Sequence, residues 1–197
     1  HNYEIDPDNV YFWRMNEKRL DAELIRDSLL FVSGKLDGSH NNVSDFQTDI
    51  KNVSKELRKY IAETKSRSIY IPSLRDNKIE ILDIFDRPDN SLLSAERSVT
   101  TVSTQALFLM NNDKIILLAE EEAKALAEHN KKMGKTMPNI LYRNNINNVF
   151  LKFLGRPPTD EEIKKSIEFI TRDENTQGNL AKFIQVVICT GEFRNVK

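Results

Sequence analysis

The stretch RLDAELIRDSLLFV, residues 19 to 32, constrains the fold more than any other part of the chain. Wound as a helix at about 100° per residue, it gathers Arg19, Glu23, Arg26, Asp27 and Leu30 into one arc. Asp21 and Ser28 fall on a narrower opposite strip. The two sectors between are apolar: Leu20, Leu24 and Phe31 in one, Ile25, Leu29 and Val32 in the other. A surface helix carries a single apolar stripe, so a helix with two must be covered on at least two sides. The charged arc is then expected to be half-buried.

Charges that leave water need partners, because an unpaired buried ion is costly. The arc supplies its own, with Arg19 and Glu23 spaced i,i+4 and Glu23 and Arg26 spaced i,i+3. Arginine also suits a buried fork against a carboxylate. A paired polar seam is therefore expected. The alternative makes Glu23 and Asp27 an acid and base pair or oxygen ligands. Neighbouring arginines depress carboxylate pKa values, which argues against a poised general acid.

The rest of the chain reads as helical. With only 6 Gly and 6 Pro in 197 residues, a loop-rich sandwich is disfavoured. The first helix is expected from Asn16, as N-cap, to Val32 or Ser33, with Gly34 taking positive φ and Tyr11, Phe12 and Trp13 packing onto it. Phe46, Ile50, Val53, Leu57 and Ile61 predict an amphipathic helix capped by Ser44 or Asp45. RSIYIP, residues 67 to 72, reads as extended, and 79 to 85 as a short helix before a turn.

Ser103 or Thr104 caps a short helix, and Asn112 or Asp113 caps one reaching His129 with Ile116, Ala119, Ala123 and Leu126 on one face. After a break at 131 to 138, another helix stops at Gly155. Thr159 and Glu162 form a capping box, and Asn179 opens the last helix. The fold class is mainly α: a single helical domain over 1–197, of about seven helices, with at most a short extended segment near 67–72.

Net charge is −1 with 30% charged residues, so nothing in the overall charge attracts nucleic acid, and no run spans a membrane. The basic stretch from Lys51 to Arg67 is diluted by acids and reads as a solvated face, as does Glu120-Glu121-Glu122. Cys189 is the only cysteine, which excludes an internal disulfide, a thiolate metal cage and a haem attachment motif. It reads as a small core residue. A chain that opens on His1 without a signal-peptide hydrophobic region is expected to be a mature or excised piece of something longer.

Several motifs together carry a family likeness. They begin at Trp13-Arg14 and continue through Arg19-Leu-Asp-Ala-Glu23, Arg26-Asp27 and Ser33-Gly34. Arg67-Ser-Ile-Tyr-Ile-Pro72 and Leu74-Arg75 follow, then Phe85-Asp86 with Pro88-Asp89. Arg97-Ser-Val-Thr100-Thr101-Val-Ser-Thr104-Gln105 through Asn111 comes next, with Gly155-Arg-Pro-Pro-Thr159 and Gly191-Glu-Phe193 at the end. Over residues 13 to 36 and 67 to 193 the chain resembles the planctomycete family catalogued as domain of unknown function 1553. The stretch 39–66 falls where that family is variable.

The resemblance implies export to a periplasmic or cell-surface setting, within a multidomain parent. Partners would be other domains of that parent, a c-type cytochrome domain among them, and polysaccharide. It brings no settled activity. No haem motif occurs here, so any electron transfer would belong to a neighbouring domain, and no cofactor is expected of these residues.

Three further clusters were weighed. Arg19, Arg26, Arg67, Arg75 and Arg97 would bind an anion if they converged, but acids such as Asp21, Asp27 and Asp86 offer each a partner. Thr100, Thr101, Thr104 and Gln105 lie at a helix start, where capping is the simpler role. Asp83, Asp86, Asp89 and Asn90 offer oxygens for calcium, but without the spacing or glycine of an EF-hand loop. His1, His40 and His129 form no catalytic or zinc motif. The expectation is a non-catalytic interaction module. The alternative is an anionic-polysaccharide unit with Arg19, Glu23, Arg26, Asp27, Arg67 and Arg97 lining a cleft.

Overall fold

Residues 2–39, 50–72, 78–89, 95–133 and 138–196 are described by a computed structural model. The elements run α1 (Asn2–Ile5), β1 (Lys18–Arg19), α2 (Ala22–Val32), α3 (Ile50–Glu63), α4 (Glu80–Ile84) and α5 (Ser103–Asn111). They continue with α6 (Asp113–Met133), α7 (Pro138–Leu154), α8 (Asp160–Ile170), α9 (Thr176–Cys189), α10 (Gly191–Arg194) and β2 (Asn195–Val196). The chain is mainly α, and among the described residues the one sheet is the two-stranded antiparallel β1–β2 pair. The expected extended stretch at 67–72 is instead a 3₁₀ turn over Ser68–Tyr70. Asp27 accepts from both the backbone and the hydroxyl of Ser68, which fixes the turn against α2.

One buried apolar cluster joins α2, α4 to α9 and α10. Ile25, Phe85, Leu109, Ile146, Ile184 and Ile188 at its heart are almost wholly excluded from solvent. α6 and α9 make its most extensive helix pair. α3 adds its own buried residues, Leu57 and Ile61, at the spacing its sequence predicts. Ser44, Asp45 and Phe46, expected at its start, lie outside the described residues.

Two glycines sit where the pattern requires positive φ, Gly34 after α2 at 65° and Gly155 after α7 at 69°. Thr159 and Glu162 close the expected capping box at the start of α8. Glu162 also shares the Arg156 guanidinium with Glu192, which ties the α7–α8 connection to α10. The Arg156 hydrogen bonds, with the Thr159 contacts, outweigh burial and hold the Glu162 carboxyl at about 2. A carboxylate depressed in the folded state stabilises above its ordinary value of 4.5, and that contribution fades as pH falls towards 2. Urea melts between pH 5 and pH 2.5 should therefore show an acid-dependent loss that Glu162→Gln reduces. Equal slopes for the two proteins would contradict it.

Several boundaries differ from the expected ones. α2 starts at Ala22 and not after Asn16, because Lys18 and Arg19 pair with Val196 and Asn195, and Leu20 N–H donates to Arg194 C=O at 2.7 Å. Asn16 instead accepts a hydrogen bond from Asn9. α5 is preceded by Val102, with Ser103 and Thr104 inside the helix. α6 extends past His129 to Met133, and its buried face centres on Ile115, Leu118, Ala119 and Ala123. α9 begins three residues earlier than expected, capped by Asn175. Asn179 is buried within it, donating to Ile170 C=O and Asp173.

Glu122 is not on a solvated face: it is buried and paired with Lys152. The N-terminal aromatics also depart from expectation, with Tyr11 82% and Phe12 81% exposed. Residues 2–16 fold on themselves instead. Asp6 accepts from the N–H groups of Val10 and Tyr11, its carbonyl accepts from the Trp13 indole, and Asn9 bonds Arg14.

Candidate functional site

Apart from the Arg26–Asp27 pair at 3.4 Å, the charged residues of the α2 segment find their partners across the chain and not along the helix. The expected Arg19–Glu23 and Glu23–Arg26 pairs do not form, and each residue instead holds a different connection. Arg19 leaves β1 to donate to Asp86 at 2.7 Å, to Phe85 C=O at 3.3 Å and to Thr100 C=O. Asp86 returns contacts to Thr100, accepting from its N–H and its hydroxyl at 2.8 Å each. Gln105, with no exposed surface, donates to Ile84 C=O and Thr100 Oγ1. This group pins the end of α4 to the chain that leads into α5.

Arg26 and Asp27 hold the connection after α3. Arg26 donates to Thr64 C=O at 2.6 Å, Ser66 C=O at 2.9 Å and Ser68 Oγ at 3.1 Å. Asp27 Oδ1 accepts from Ser68 N–H at 2.8 Å and Ser68 Oγ at 2.6 Å. Arg67 stays 3.9 Å from the other Asp27 oxygen and is 52% exposed. Burial pushes the Arg26 guanidinium below its ordinary pKa, offset in part by Asp27.

Between these groups, Glu23 meets Arg97 through two hydrogen bonds, at 2.7 and 3.1 Å, with Asp21 4.0 Å away. Asp21 occupies the N-cap position of α2 without capping it. Burial raises the Glu23 pKa, but the hydrogen bond and charge of Arg97 outweigh it and leave the carboxyl below its usual range. Arg97 is 43% exposed, so this pair is screened by water. Glu23→Ala should cost no more than about 1 kcal/mol in a chemical melt. A loss several times larger would mean that the pair is shielded from solvent.

Among the described residues, Arg19, Arg26 and Arg97 therefore serve three different contact groups and do not converge, and Arg67 joins Arg26 at Asp27. Arg97 and Glu23, together with Arg87, line a cleft of about 300 Å³ floored by Ile71, Ile79 and Leu82. Arg87 is paired with Asp83 at 3.1 Å. Thr101 is exposed, and the contacts expected near it are made by Thr100. Arg75, Asn90, His1 and His40 lie outside the described residues. With Arg19 and Thr100 on its oxygens, Asp86 is committed to the protein, and Asp89 is exposed. Among the described residues, no three His, Cys, Asp or Glu side chains are placed to hold a metal. No helix among them is long and apolar enough to cross a membrane.

Sequence reasoning missed Ser68, and it read Thr100 as part of a helix start without its partners Asp86 and Arg19, which are distant in sequence. It also missed Arg156 and Glu192, although both lie in the Gly155–Thr159 and Gly191–Phe193 motifs.

One family profile, PSD1, described as a protein of unknown function (DUF1553), matches residues 1–170. The chain belongs to that family. The PSD1 match takes in all the α2 contacts just described and runs through residues 39–66, while α9 and α10 lie beyond it. No curated protein and no solved structure matches the chain.

Proposed function

We propose that this PSD1-family chain is a non-catalytic interaction module of a larger exported protein, whose α2 charges fasten connections instead of receiving a substrate. The observation that carries this reading is that Arg19, Arg26 and Asp27 spend their side chains on contacts within the chain, with the Arg19 Nε buried without a partner among the described residues. Each has a side chain only 11% exposed, and their contacts are carbonyls, hydroxyls, an amide and a carboxylate of this chain. Groups consumed in this way hold no proton or charge ready for a reacting molecule.

The surface offered to neighbours is N-terminal. Tyr3, Ile5, Val10, Tyr11, Phe12 and Met15 are all largely exposed within a thirteen-residue stretch, and apolar exposure of this kind marks interaction surfaces. Its partners would be other domains of the parent protein, a c-type cytochrome domain among them, in a periplasmic or cell-surface setting. The family likeness supports that setting.

A second reading, binding of an anionic polysaccharide, draws support from the half-exposed Arg67 and Arg97. Chemical denaturation with and without an oligogalacturonate separates the two, since a ligand of the native state raises the midpoint. The module reading expects no change in the midpoint of the wild-type chain. A rise that Arg67→Ala and Arg97→Ala both abolish would overturn it.

A further inference from the structure

On the other side of Arg26, α2, α3, α4 and the α5–α6 pair leave a second cleft between them, of about 470 Å³. Its volume falls within the roughly 300–1,000 Å³ usual for small-molecule sites. Leu29, Ile61, Ile115 and Leu118 form its floor, all buried, with Leu29, Ile115 and Leu118 belonging to the main apolar cluster and Ile61 to α3. These are branched aliphatic side chains, suited to a hydrocarbon body.

The charges around this floor have a definite sign. Arg26 is committed to the connection after α3, and Lys35 is paired with Glu121. Lys65, Lys78 and Lys114 also line the cleft, are exposed, and make no ion pair among the described residues. Among the described lining residues only Glu63 and Glu80 oppose them, so three cations against two anions leave one positive charge without a counterpart there. An occupant that matches both features has an aliphatic body and one negative charge at its end.

We infer that this cleft binds an aliphatic monocarboxylate, with its chain on the Leu29–Ile61–Ile115–Leu118 floor and its carboxylate among Lys65, Lys78 and Lys114. The inference does not rest on the module reading: Arg26 borders the cleft but is spent on the connection after α3, and the proposed contacts are made by the aliphatic floor and the lysines.

Isothermal titration of the intact 197-residue chain with decanoate tests it. Saturable binding at one site per chain is expected, with decanol and acetate each at least tenfold weaker, because the first lacks the charge and the second the body. The double variant Lys78→Ala/Lys114→Ala should weaken decanoate about tenfold. Ala62→Phe, which fills the cleft from an exposed lining position, should abolish binding. Far-UV circular dichroism matching wild type shows that each variant is folded. Absence of saturation, decanol binding as tightly as decanoate, or affinity unchanged in both variants would overturn the inference. The last result would place the ligand elsewhere, on the exposed N-terminal apolar residues for example.

Discussion

Arg26→Met should lower the unfolding free energy by about 3–5 kcal/mol, the range for breaking a buried ionic contact by removing one partner. Methionine retains the apolar stem but none of the donors. Thr64 C=O and Ser66 C=O lose their guanidinium bonds, and Asp27 keeps Ser68 and the more distant, half-exposed Arg67. Ser66 and Ser68 are themselves buried, so water does not replace what is lost without rearrangement. A loss of this size is a large fraction of the roughly 5–15 kcal/mol that holds an ordinary domain together. Arg26→Lys should recover only part of it, since an ammonium lacks the planar fork that spans several oxygens. Equilibrium unfolding in guanidinium chloride measures all three proteins. A loss below about 1 kcal/mol for Arg26→Met would mean that the connection after α3 is held by something else.

The second large effect is expected at Asp86. This residue adopts φ 66°, and its carboxylate takes Arg19 and two groups of Thr100. Alanine is strained in that backbone conformation by about 1 kcal/mol. Loss of the charge-assisted hydrogen bonds adds about 1.5–3 kcal/mol, for a total of about 3 kcal/mol. Asn tolerates the left-handed conformation and keeps one acceptor, so Asp86→Asn should fall between Ala and wild type.

Acid should act through the same carboxylate. Burial raises the Asp86 pKa, but the hydrogen bonds from Thr100 and Arg19 outweigh it and leave it below its ordinary value of 3.8. Its contribution is complete above that value and disappears as pH falls through the lowered one, so Asp86→Asn should flatten the acid limb of a stability profile. An Ala variant as stable as wild type would show that Arg19 and Thr100 do not depend on Asp86.

Features written in local chemistry were legible from the sequence. Gly34 and Gly155 fall where the periodic pattern stops, and Thr159 with Glu162 needs only three residues of spacing to be recognised. Single-stripe periodicity also placed Leu57 and Ile61 on the buried face of α3. What local pattern does not encode is the choice of partner. Periodicity continued a helix back through Arg19, where pairing with residues 195–196 imposes a strand. The i,i+4 rule joined Arg19 to Glu23, although Asp86 lies closer in space. The three glutamates of α6 looked alike, and only the approach of α7, bringing Lys152, singles out Glu122 for burial. Tyr11 and Phe12 looked like core residues until Asp6 and Asn9 folded their own segment around themselves.

The β1–β2 pair bears on how the chain acquires its shape. It joins residues about as far apart as 197 positions allow, and the approach to α2 has its backbone partner in Arg194. Closing so long a loop is entropically slow and must await most of the other contacts. During synthesis the segment ahead of α2 remains unclasped until residues 194–196 emerge from the ribosome. This register therefore forms late, as a latch that closes once the helices between its two strands are in place.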